Sequence, residues 1–125
     1  MDVNKMQELE SLLSTRKAID VRARVGKRLF ELGLDKNLKG FNYLLDIITL
    51  SIIYRNYSRT TIAELTPFIA KKNFIKPFSV QRQLRYVCTI KTNGKYKVHD
   101  ICEQTWRKIK LELEFEEERE GKYVL

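Results

Sequence analysis

Gln81 and Arg82 stand side by side, with Arg85 one helical turn further on. On a helical wheel at about 100° per residue, Pro77–Lys91 places Val80, Leu84 and Val87 on one face. Phe78, Arg82, Arg85 and Thr89 fall on the opposite face, flanked by Gln81 and Tyr86. The apolar face would hold such a helix on a protein body. The outward face offers the side chains that suit base edges in a DNA major groove, arginine bidentate to guanine and glutamine bidentate to adenine. Phosphate contacts need charge more than geometry. Lys71 and Lys72 just ahead of the helix, Lys76 in the preceding turn and Ser79 near the helix start suit that task, as do Lys91, Lys95 and Lys97 beyond its far end. The same wheel equally fits an amphipathic helix whose arginines merely face water, and spacing alone does not choose between the two.

The rest of the chain is poor in reactive groups. Cys88 and Cys102 form no CxxC pair, which excludes a disulfide scaffold and a thiolate zinc site. The single histidine, His99, sits near Asp100, Cys102 and Glu103, but these are too few good ligands for a metal and too few partners for triad chemistry. Gly26-Lys27 lacks the earlier glycine and the following Ser/Thr of a phosphate-binding loop. No nucleophile, base and oxyanion donor converge, so the sequence predicts no enzyme, no cofactor and no small-molecule substrate. Charge says more. Residues 1–110 hold 22 bases against 10 acids, whereas the last fifteen hold six acids, Glu112, Glu114, Glu116, Glu117, Glu118 and Glu120, against two bases. A basic body favours a polyanionic partner, double-stranded DNA above all. The acidic end reads as a solvated helix end, or alternatively as a screen for the basic face.

These residues need elements to position them. With 125 residues, 43% hydrophobic and 32% charged, the chain suits one compact domain. The apolar spacing predicts an all-α domain of five to six helices with a helix-turn-helix. Residues 1–18 carry an N-terminal amphipathic helix, capped by Asp2, whose Met6, Leu9, Leu12 and Leu13 would face the domain or a second copy in a homodimer. Residues 19–118 form the helical domain, and 119–125 a tail. A helix from Asp20, its N-cap, to Leu32 buries Val21, Val25 and Leu29 and ends at Gly33. Phe41–Tyr54 is apolar on nearly every face and reads as a central buried helix, too short and interrupted to span a bilayer. Thr66-Pro67 starts a short helix, and Pro77 starts the recognition helix over about 77–91. Asn93-Gly94 is either a helix C-cap or a hairpin tip, so 91–98 is a loop or a short β-wing. The last helix runs from Asp100 to Glu118 and should fray at its acidic C-terminus. Its apolar side includes Trp106 as a core anchor, and both cysteines read as small buried hydrophobes. Reduced thiols without a signal peptide predict a cytoplasmic, nucleoid-associated protein.

Three strings carry a family resemblance. Leu32-Gly-Leu-Asp-Lys-Asn-Leu-Lys-Gly-Phe-Asn-Tyr-Leu-Leu45 resembles the opening of the C-terminal effector domain of the stage-zero sporulation response regulator. Thr66-Pro-Phe-Ile-Ala-Lys-Lys72 resembles that family's Tyr-Pro-Asp-Ile-Ala-Lys-Lys, and Val80-Gln-Arg-Gln-Leu-Arg-Tyr86 its Val-Glu-Arg-Ala-Ile-Arg-His. Order and approximate spacing agree over residues 25–90. The resemblance implies an all-helical fold whose helix-turn-helix reads a short DNA box of the TGTCGAA kind. It implies that Arg82 and Arg85 are the recognition arginines and that Lys71 and Lys72 lie near the DNA backbone. Gln81 stands where the family has an acid, and the inter-helix turn is one residue longer. The Lys91–His99 segment is shorter than its counterpart. About twenty residues precede the resemblance, so no aspartyl-phosphorylation switch is expected within them. The function expected is a sequence-specific transcription regulator. The alternative is a protein-interaction module that pairs with a full-length regulator through Leu9, Leu12, Leu13 and the acidic end.

Overall fold

The computed structural model describes residues 2–124, with side chains through residue 120. Six α-helices form the fold, and no strand occurs among the described residues. They are α1 (Val3–Leu13), α2 (Arg16–Glu31), α3 (Lys39–Ile53), α4 (Thr61–Lys72), α5 (Pro77–Arg85) and α6 (Val98–Val124). A π-helical turn, Tyr86–Ile90, extends α5 without a break.

Helix α3 is the spine and touches every other helix. Its sequence dictates this, since Leu44, Ile47, Ile48 and Leu50 are fully buried and point to different sides. Around it pack Val21, Val25 and Leu29 of α2, Phe68 and Ile69 of α4, Val80 and Leu84 of α5, and Ile101 and Ile109 of α6. Leu9 joins this same core, so α1 lies on the domain, and Ala18 lies within α2. With Leu9 fully buried and Leu12 and Leu13 partly buried against the core, the leucine stripe takes the first of its two expected places, on the domain.

Several ends differ from expectation. Helix α2 starts a turn early because Thr15 Oγ1 accepts from the Ala18 N–H at 3.2 Å and Ala18 extends the buried stripe backwards. Asp20 is therefore not a cap. Helix α4 begins at Thr61, not Thr66. Thr61 Oγ1 accepts from the Ser58 N–H at 2.8 Å, and Leu65 continues the apolar stripe toward Phe68. Thr66 instead donates its hydroxyl to the Ile62 carbonyl at 2.6 Å, and Pro67 sits inside the helix. The expected ends at Asp2 and Gly33 are present. Asp2 accepts from the Lys5 N–H at 2.8 Å, and Gly33 takes a φ of +88° with Leu34 N–H bonded to Leu29 O at 3.1 Å.

The β-wing does not form. Asn93 and Gly94 both have positive φ, and the Gly94 N–H closes on Thr89 O at 2.7 Å, which ends the π turn. Tyr96 ties the loop down by donating its hydroxyl to Leu32 O at 3.1 Å. Helix α6 does not stop at Glu118 but continues to Val124; Leu125, the end of the expected tail, lies outside the described residues. Part of the reason is that Arg24 of α2 grips Glu116 with two hydrogen bonds of 2.7 and 2.9 Å. That grip holds the Glu116 carboxyl below its usual range. No described helix is long and apolar enough to cross a membrane.

Candidate nucleic-acid interface

Helices α4 and α5 are joined by residues 73–76 and pack directly on each other. The turn is a Schellman closure. Phe74 N–H bonds Lys71 O at 3.2 Å and Ile75 N–H bonds Ala70 O at 3.0 Å, while Ile75 packs on the core. Phe74 occupies the left-handed position with φ of +56°, where glycine is usual, and its ring is 95% exposed. Pro77 then takes the first helical position of α5, where its missing N–H costs nothing.

One face of α5 and its π extension is sealed. Val80, Leu84, Val87 and Cys88 are buried against the body. Helix α3 approaches so closely that a Cβ on Gly40 would collide with the Gln83 carbonyl and stand 2.8 Å from Val87 Cγ1. Gly40 thus fixes the depth at which α5 sits. The other face is open, and Gln81, Arg82 and Arg85 are all exposed. Neither Arg82 nor Arg85 meets a carboxylate among the described residues, whereas Arg22, Arg24, Arg28, Arg55 and Arg107 each do. Arg82 rests instead on the Phe78 ring, 5.4 Å from its centroid.

Thr89 departs from the wheel. Its hydroxyl donates to Tyr96 O at 2.6 Å and it is half-buried, because the π turn carries an extra residue and rotates the later positions around the axis. Lys71, Lys72, Lys76, Lys91 and Lys95 are all exposed, and Ser79 is half-buried near the start of α5. Lys72 Nζ lies 3.0 Å from Asp46 Oδ2. Asp46 is a buried carboxylate on α3 that Arg22 of α2 also grips, so one acid ties three helices. A lone acid inside the apolar run 41–54 was the signal for this knot, which spacing arguments passed over. Phe74 and Gly40 were missed as well, since exposure and interhelix distance are not written in periodicity.

The groups near α6 serve structure. Tyr57 hydroxyl bonds His99 Nδ1 at 2.7 Å, and Trp106 Nε1 donates to Ser51 O at 3.0 Å. Both cysteines are buried and free, and burial pushes the Cys88 thiol up to about 12. Of the acidic end, Glu116 pairs with Arg24 of α2, and neither Arg82 nor Arg85 pairs with any of these acids among the described residues.

A helical body that presents one helix of a helix-turn-helix with its guanidiniums outward has the build of a DNA-binding domain. The sequence profile described as "Sporulation initiation factor Spo0A C terminal" matches residues 25–112, from within α2 to within α6. The chain belongs to this family of DNA-binding domains of a sporulation transcription regulator, which is not a family of enzymes. Comparisons with curated proteins and with solved structures return no match.

Proposed function

We propose that this protein is a sequence-specific transcription regulator that lays α5 in the major groove. Arg82 and Arg85 read guanines, and Gln81 reads an adenine or an adjoining edge. Lys71, Lys76 and Ser79 hold phosphates on the near side, and Lys91 and Lys95 on the far side. Lys72 adds to the near side only as far as its pair with Asp46 allows. The observation that carries this reading is the contrast among arginines. Five elsewhere in the fold are neutralised by carboxylates, while Arg82 and Arg85 on α5 are not; Arg16 and Arg59 are also unpaired among the described residues, but only the α5 pair shares one outward helix face with Gln81.

Fluorescence anisotropy at about 150 mM salt tests it, with a duplex carrying a TGTCGAA box against a scrambled one. Preference for the box supports a sequence reader. Equal binding that falls steeply with salt would leave a basic DNA binder without specificity. No binding to either duplex would sink the proposal.

A further inference from the structure

We infer that Phe78 is itself a specificity residue, its exposed ring receiving the 5-methyl group of a thymine next to the base read by Arg82. The inference rests on the base-reading role proposed for α5. Phe78 is the second residue of α5 and is 67% exposed, while the helix buries Val80 and Leu84 instead. The fold therefore gains little from a phenyl ring at this position. The ring lies on the same outward face as Arg82 and against its guanidinium. One cation, Arg82, lies over the ring, and Lys76 stands two residues before it in the chain. Such a setting attracts a polyanion, and the major groove of that polyanion presents one apolar projection, the thymine methyl.

The spacing fits. Four residues of α-helix rise about 6 Å, and stacked base pairs about 3.4 Å each. The thymine then lies one or two steps from the guanine bound by Arg82. Stacking on Phe78 also holds the Arg82 fork, so the two side chains would read neighbouring bases as a unit.

The test uses the full chain. A preferred duplex is selected from random sequence, and each thymine in it is then replaced singly by deoxyuridine, which removes the methyl and nothing else. At one thymine within two steps of a guanine that responds to Arg82→Ala, wild-type affinity should drop about threefold to fivefold, the worth of one buried methyl. Phe78→Ala should bind the parent duplex at least that much more weakly and ignore the exchange. Phe78→Leu should regain sensitivity to the methyl. Thermal melting of each variant confirms folding, which an exposed position should leave intact. A wild-type protein that selects a consensus yet ignores every methyl, or a Phe78→Ala variant that still senses one, would overturn the inference and leave the role of Arg82 standing. Failure to select any consensus would remove both.

Discussion

Arginines within reach of a carboxylate normally close on it, so Arg82 and Arg85 owe their freedom to the absence of acids on α4 and α5 beyond Glu64, which Arg55 takes. That freedom sets the first expectation. Arg82→Ala or Arg85→Ala should cost about 1–3 kcal/mol of specific binding and relax the preference at one base pair, measured by anisotropy on single-substitution duplexes. Lys76→Ala should weaken all duplexes alike and reduce the slope of log affinity against log salt by about one. Phe74 makes the opposite kind of prediction, about folding. Its left-handed backbone strains any residue with a Cβ, and its ring buries nothing, so Phe74→Gly should raise unfolding stability by about 1 kcal/mol in urea titration. The outward placement of Gln81, Arg82 and Arg85 was legible in the sequence because Val80, Leu84 and Val87 define the buried face unambiguously. Thr89 was not, because the wheel assumes an unbroken α period and nothing in Tyr86–Ile90 advertises a π turn. Lys72 likewise looks free in sequence, since its partner Asp46 is distant along the chain and meets it across helices.

Elements were read best where burial dictates them. Phe41–Tyr54 has too many apolar positions to be anything but a spine, and α3 is that spine. Helix starts were harder. Thr66-Pro67 satisfies the local rule for a beginning, yet Thr61 and Leu65 offer burial one and a half turns earlier, and packing outweighs the backbone bond that proline gives up. The 91–98 segment shows the same hierarchy, because Tyr96 gains more by docking on Leu32 than two short strands would gain by pairing. Contact between α3 and α5 yields a prediction at this scale. Gly40→Ala would place a methyl in the Gln83 carbonyl and push α5 outward. It should lower stability by about 1–3 kcal/mol in denaturant titration, and weaken DNA binding beyond that loss even where the variant is fully folded.

Taken whole, the molecule separates its charges, with the outward arginines on α5 and the acid-rich end of α6 tied to α2 at Glu116 by Arg24. Its interior holds weak acids in their neutral form. Burial raises Cys88 to about 12 and also raises Cys102 and Tyr57. An unfolded chain would release these protons at ordinary values, near 9 for a thiol. The stability they contribute is thus complete below that range and is lost as pH climbs toward 12. Melting temperatures should fall steadily between about pH 9 and 11, and Cys88→Ala should flatten part of that fall. The same burial should leave both thiols unreactive toward alkylating reagents at neutral pH until the chain unfolds. The π turn behind α5 also bears on how this molecule could change over time. Such a turn is what a one-residue insertion leaves when the helix swallows it. The seam follows the outward-facing stretch of α5 and itself packs against α6. Length can be added or lost there while Gln81, Arg82 and Arg85 keep their outward aim, so the open face of α5 and its mounting are free to evolve at different speeds.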